Sequence, residues 1–297
     1  MSQVTTLANA IQEAGNVLPE IAKLFEPILA CQDKSGVEKQ MNLRYGEHER
    51  HILDVYTPSG SAPEGGWPVL IFFHGGGFIR GNKEHRSNMG WFFAQQGYTI
   101  IMPNYRLAPQ SQWPCGPEDV VSVYQWVVEQ KQPQNFNTNN IFLMGESAGA
   151  AHVAAASLCK EFQSNHWNIK GAILLSGPYN ARLEGKARAQ FGIDTPDPRN
   201  EAYFGSDLTK WDKASIVNHI SAAPFPLFIS YTEWDLIQMQ VQACELFARL
   251  VSEHDFNPEI QCLPHHNHFS QGYSIGTEDR ILSNRLLIFL HSHMNVP

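Results

Sequence analysis

A chain of 297 residues, 43% hydrophobic and 17% charged, is long enough to bury a sizeable core and too apolar to be disordered. Its net charge of -8 argues against a nucleic-acid partner, which needs a basic face, and no long run of Lys or Arg occurs. No apolar run is long enough to cross a bilayer, Met1 to Gln12 lacks a secretory leader pattern, and the five scattered cysteines form no C-x-x-C; reduced, buried thiols in a cytoplasmic protein are expected.

Residues 1 to about 40 read as helical, with Ile21, Leu24, Phe25, Ile28 and Leu29 on one face and Pro27 expected to kink or end the helix. This segment precedes the first convincing strand and is expected to lie over the core as part of a cap. His51–Tyr56 reads as a strand, and Val69–Phe73 as a fully buried one that runs straight into His74-Gly75-Gly76-Gly77-Phe78. Tyr98–Met102 is a further buried strand, ended by Pro103. A helix starts at Gly116-Pro117 with an apolar stripe of Val120, Val123, Tyr124, Val127 and Val128.

Ile141–Met144 then runs into Gly145-Glu146-Ser147-Ala148-Gly149, and the helix beyond opens with small residues, Ala148 to Ala151, that let it sit close on a sheet. Strands are expected at 171–175 and 227–231, a helix near 238–252, a strand around 259–263, and a last helix after Thr277 with Glu278 and Asp279 in its first turn. Strands alternating with helices imply one α/β domain over 1–297, a mostly parallel sheet covered on both faces, with its site at the C-terminal ends of the strands. Residues 181–223 break the rhythm and read as a second capping element.

The two glycine motifs describe complementary halves of an acyl-transfer site. G-x-S-x-G is a nucleophile elbow, in which a strand turns sharply into a helix and lifts a serine hydroxyl out of the fold; Ser147 is the candidate nucleophile. The H-G-G-G loop offers backbone N–H groups to a tetrahedral oxyanion. A serine hydroxyl needs an adjacent base, and in this chain order the acid and then the histidine come after it. His254, His265, His266 and His268 are the candidate bases; Glu233 and Asp235, beyond the 227–231 strand, are the candidate acids. The clustered His265, His266 and His268 lack the second group of carboxylates or cysteines that a metal site would need.

These motifs, with Asn104-Tyr105-Arg106-Leu107-Ala108-Pro109 between them, resemble the hormone-sensitive-lipase-like esterase group of the α/β-hydrolases, from about residue 43 to the last helix. Glu146 stands where the group often has Asp, Ala150 where it often has Gly, and His268 is followed directly by Phe269; that ending is also similar to arylformamidases and to some feruloyl and acetyl esterases. The resemblance selects His268 as base, with His266 its main rival, and Asp235 as the orienting acid, with Glu233 its rival. It also implies an oxyanion hole built from the N–H groups of Gly76, Gly77 and Ala148, with His74 bracing the loop.

The resemblance implies hydrolysis of esters of small to medium acyl or aryl groups, with no metal or organic cofactor, an amidase such as an arylformamidase being the nearest alternative. A non-catalytic binder of this fold is disfavoured because candidates for all three roles are present. The expected partner is a small-molecule ester or amide, with no nucleic acid or membrane; a homodimer is left open. Candidate pocket walls are Phe78, Trp91, Tyr105, Phe191, Tyr203, Phe204 and Trp211, with Phe78 first because it abuts the glycine loop.

Overall fold

Alternating burial of successive side chains splits the core into two layers. In the strand Trp67–Phe73, Val69, Ile71 and Phe73 join one cluster and Leu70 and Phe72 the other. A strand buried on both faces must be apolar throughout, which is why this segment reads as a continuous hydrophobic run. The computed structural model describes residues 3–130, 135–163, 167–184, 198–221 and 225–295.

Among these, β1 (Val37–Arg44), β2 (Ile52–Pro58), β3 (Trp67–Phe73), β4 (Thr99–Pro103), β5 (Phe136–Glu146), β6 (Ile169–Leu175), β7 (Leu227–Trp234) and β8 (Glu259–Asn267) form one sheet in the order β1-β2-β4-β3-β5-β6-β7-β8. β1 and β4 flank β2 antiparallel, and every other neighbouring pair is parallel. The helices are α1 (Gln3–Ala14), α2 (Leu18–Ala30), α3 (Ser87–Gln95), α4 (Cys115–Glu129), α5 (Ala148–Leu158), α6 (Pro198–Phe204), α7 (Trp211–Ala214), α8 (Ile237–His254), α9 (Ser270–Ser274) and α10 (Ile281–His293). Val120, Val123 and Val127 of α4 and the alanines of α5 cover one face. Met89 and Phe93 of α3 and Leu282, Leu286 and Phe289 of α10 cover the other. Every residue of α5 is buried, as its small side chains require for close approach to the sheet.

Several expectations need correction. Residues 37–40 belong to a strand, not to a helical segment: β1 is a mostly exposed edge whose polar residues gave no periodic apolar signal, and Lys39 pairs with Asp54 of β2 at 3.0 Å. Pro27 lies inside α2 without ending it. Interior proline costs about 3 kcal/mol, which is offset here by burial of Ile21 and Phe25 against Trp234, Phe269 and Tyr273. Glu278 and Asp279 precede α10 rather than opening it; the Asp279 carboxylate accepts the Ile281 N–H at 3.0 Å. The five-residue α9 had no sequence signal. The cysteines are free, but only Cys115 and Cys159 are buried; Cys31, Cys244 and Cys262 are exposed. Of the 181–223 element, residues 185–197 and 222–223, with Phe191, lie outside the described residues.

Candidate active site

Ser147 sits where β5 becomes α5, at φ 54° and ψ -121°, with its N–H donated to the Leu175 carbonyl at 2.8 Å. An L residue in this region is strained and persists only when its surroundings impose it. The flanking glycines are imposed by contact: a Cβ at Gly145 would lie 2.3 Å from the Gly149 oxygen, and one at Gly149 would lie 2.1 Å from the Phe73 oxygen. Strand and helix pack too closely for any side chain there.

The structure brings the three sequence-selected residues together. The Ser147 hydroxyl reaches His268 Nε2 at 2.9 Å, and His268 Nδ1–H donates to Asp235 Oδ1 at 2.8 Å. A carboxylate oxygen only accepts, so Nδ1 carries the proton and Nε2 faces the hydroxyl as an acceptor. Asp235 is held from three further directions: Oδ1 accepts the Leu236 N–H at 2.9 Å, and Oδ2 accepts the Ser176 hydroxyl at 2.6 Å and the Thr232 N–H at 3.1 Å. Burial opposes a charged imidazole at 268, but the charge and hydrogen bond of Asp235 outweigh it and hold the His268 pKa above its ordinary value, while Glu146 and Arg86 act in opposite directions.

The rivals are accounted for by other partners. Glu233 points outward, accepting the His265 N–H at 2.8 Å, and both residues are exposed. His254 is in the last turn of α8. His266 is fully buried in a second Ser-His-Asp constellation: its Nδ1 lies 3.0 Å from Ser270 Oγ and its Nε2 3.2 Å from Asp279. Ser270 Oγ also accepts the Asn267 N–H at 2.9 Å, so this group fastens α9 to the end of β8. His266→Gln is therefore expected to lower stability by about 1–3 kcal/mol in thermal unfolding while turnover stays within a few-fold of wild type; a loss matching that of His268→Gln would transfer the base role to His266.

A cavity of about 300 Å³ opens over Ser147. Gly76, Gly77, Ala148 and Phe78 line it, as do Leu18 and Ala22 of α2 and Leu236, Met239 and Phe269. Gly76 at φ +143° and Gly77 at φ +60° hold a backbone path that L side chains rarely adopt. Beneath the loop, His74 donates Nδ1–H to the Gly75 carbonyl at 2.7 Å and stacks on Tyr105 at 4.3 Å, and Tyr105 donates its hydroxyl to the His74 carbonyl at 2.7 Å. Burial pushes the His74 pKa down to about 3, so the ring is a neutral brace. Arg106 of the same stretch grips Asp119 with its N–H at 2.7 Å and its Nε at 2.8 Å.

Of the other aromatic candidates among the described residues, Tyr105, Tyr203 and Trp211 are core, and Trp91 and Phe204 are half-buried against it. The Phe78 ring itself is buried and stacks on Tyr203 at 4.4 Å. Tyr105 lies under His74, Trp91 packs edge-on against Tyr56, and Phe204 and Trp211 pack on each other at 5.5 Å.

Sequence reasoning missed the supports. Asn16, in the turn between α1 and α2, accepts the His268 N–H at 3.0 Å and donates to the Trp234 carbonyl at 2.8 Å. Gln271 donates to Ser176 Oγ at 2.7 Å and to the His268 carbonyl at 3.1 Å. Single polar residues carry no pattern, and all but one of these contacts join segments distant in the chain.

Comparison with known proteins fits this geometry. The alpha/beta hydrolase fold family matches over residues 70–268, from the strand before the glycine loop to the histidine itself. An ethyl acetate hydrolase of Pseudomonas putida is 29% identical over 157 residues, 49% of this chain and 49% of that protein. A kynurenine formamidase of Danio rerio is 33% identical over 156 residues, 50% of this chain and 51% of that protein. The chain thus spans about half the length of the curated relatives it matches. Esterase B from Lactobacillus Rhamnosis (HN001) superimposes with a TM-score of 0.76 over 98% of this chain and 96% of that one, at 16% identity, a likeness of fold alone. The chain belongs to the alpha/beta hydrolase fold family.

Proposed function

We propose that this chain is a serine hydrolase that cleaves carboxylic esters of small to medium acyl or aryl groups through an acyl-enzyme. The observation that carries this is the unbroken hydrogen-bonded path from Asp235 through His268 to Ser147, opening on the cavity beside the glycine loop. His268 takes the Ser147 proton as the oxygen attacks the ester carbonyl, and Asp235 stabilises the resulting imidazolium. The N–H groups of Gly76, Gly77 and Ala148 receive the oxyanion. The imidazolium protonates the departing alcohol, and water attacks the acyl-serine by the same steps. A cavity of about 300 Å³ is at the small end of ligand sites, which favours short acyl chains or single aromatic rings.

In this reading α1, α2 and the 181–223 element are the cap of one hydrolase domain; Leu18 and Ala22 on the cavity wall support that for α2. Five free cysteines fit a reducing, cytoplasmic setting, and among the described residues no helix is long and apolar enough to cross a membrane.

The formamidase relative supports a second reading, hydrolysis of an aryl formamide by the same residues. Side-by-side kinetics on phenyl acetate, phenyl butyrate and N-formylkynurenine separate the two. The ester reading expects the higher kcat/KM on the acetate or butyrate. A hundredfold preference for the formamide would replace it.

A further inference from the structure

Glu146, the residue immediately before the nucleophile, is buried, and its carboxylate is taken by Arg86 in a two-pronged ion pair. Arg86 Nε meets Oε2 at 2.8 Å and Nη2 meets Oε1 at 2.9 Å. Arg86 is buried as well and precedes α3, 60 positions from its partner. Its guanidinium lies 3.9 Å from the ring centre of Tyr273, and its Nη2 approaches the Phe269 carbonyl at 3.4 Å. The backbone of α9 is pressed onto the pair: a Cβ at Gly272 would lie 2.5 Å from both Arg86 Nε and Glu146 Oε1. Three segments therefore meet on two opposite charges, namely the elbow that carries Ser147, the start of α3, and the short helix just after His268.

Burying two charges costs desolvation that well-packed apolar side chains would avoid, so packing alone is a poor reason for the pair. A carboxylate one residue from Ser147 bears on the imidazole, and its field must be either used or cancelled. Among the described residues, Asp235 from the β7–α8 loop, Glu146 from the end of β5, and Arg86 bear on His268, and Arg80, Glu184 and Arg199 line the same cavity. His85 lines the same cavity, and burial, together with Arg86, holds its pKa below the ordinary value.

We propose that Arg86 and Glu146 form a positioning and charge-balancing pair, which locks the elbow to the His268 segment and cancels the Glu146 field at the imidazole, leaving Asp235 to set the pH at which His268 becomes a base. This rests on the reading of His268 as the base for Ser147. Removing Glu146 alone leaves an uncompensated cation near the imidazole, which disfavours imidazolium. Removing Arg86 alone leaves an uncompensated carboxylate, which favours it. The two substitutions must therefore move the acid limb of turnover in opposite directions, a signature that mere loosening of the fold does not produce.

The test is the pH profile of kcat/KM on neutral phenyl acetate for wild type, Glu146→Gln, Arg86→Gln and the double variant, with folding checked by circular dichroism. Glu146→Gln is expected to lower the midpoint of the acid limb, and Arg86→Gln to raise it, each by about half a pH unit or more. The double variant is expected to return close to wild type. Folded, active single variants with unmoved midpoints, or midpoints moved in the same direction, overturn the proposal. Where a single variant fails to fold, the charge-free double variant carries the test: a midpoint matching wild type supports the balance, and a displaced one overturns it. Failure of the underlying reading looks different, because His268→Gln would then keep wild-type turnover and its acid limb.

Discussion

Ser147→Ala is expected to reduce ester kcat/KM by about 10⁴-fold or more, since the group that becomes the acyl carrier is gone while the cavity and loop remain. The same substitution is expected to abolish the mass increase produced by a serine-directed organophosphonate, which intact-mass spectrometry reads directly. In wild type the adduct is expected to form because Ser147 Oγ lies 2.9 Å from His268 Nε2, with Nδ1 held by Asp235 at 2.8 Å. Stability should change little, because what holds the elbow is the Ser147 backbone N–H on the Leu175 carbonyl and the close packing of Gly149 on β3. A wild-type protein that takes up no label and turns over no ester would convert the proposed enzyme into a binder. Labelling that persists in Ser147→Ala would move the nucleophile elsewhere.

Gly76→Ala is expected to cost about 10²–10³-fold in kcat, the usual loss when an oxyanion donor is displaced. Its added Cβ would sit 1.9 Å from the Arg80 carbonyl oxygen and 2.6 Å from the Arg80 carbonyl carbon, at φ +143°. Both obstacles are backbone, so neither can rotate away, and the loop itself must move. Because the N–H groups are used when charge develops on the carbonyl oxygen, kcat and kcat/KM should fall together with KM nearly unchanged. Gly77→Ala should be milder in its contacts, since its Cβ would meet the flexible Arg199 side chain at 3.0 Å, although φ +60° still strains it. A folded Gly76→Ala protein with turnover within a few-fold of wild type would place the oxyanion donors outside this loop.

How much of the fold and site is legible in the sequence depends on where the information lies. β3 and the 141–144 stretch of β5 can be read because a strand segment buried on both faces must be apolar. β1 cannot, because an exposed edge strand imposes no such requirement on its side chains. Tyr105, Tyr203 and Trp211 are illegible as wall or core for a related reason: a ring is apolar whether it fills a core or walls a cavity, and these three do the former, while Phe78 lines the cavity. Asn16, Ser176 and Gln271 escape notice because each acts through hydrogen bonds to distant segments or to single atoms; Asn16 and His268 are 252 positions apart.

The sequence by itself determined what is local. Glycines mark the turns that a side chain would block, a serine stands between strand and helix, and alanines open the helix that must pack closest. Those constraints act within a few residues and so leave a pattern in the chain. Only the tertiary structure shows which of two chemically similar neighbours makes the contact that the resemblance pointed to: His268, not His266, meets Ser147, and Asp235, not Glu233, meets His268. His266 is claimed by Ser270 and Asp279, and Glu233 by His265 at the surface. That choice depends on which remote segment each side chain meets, and it exists only once the sheet has brought β5, β7 and β8 together.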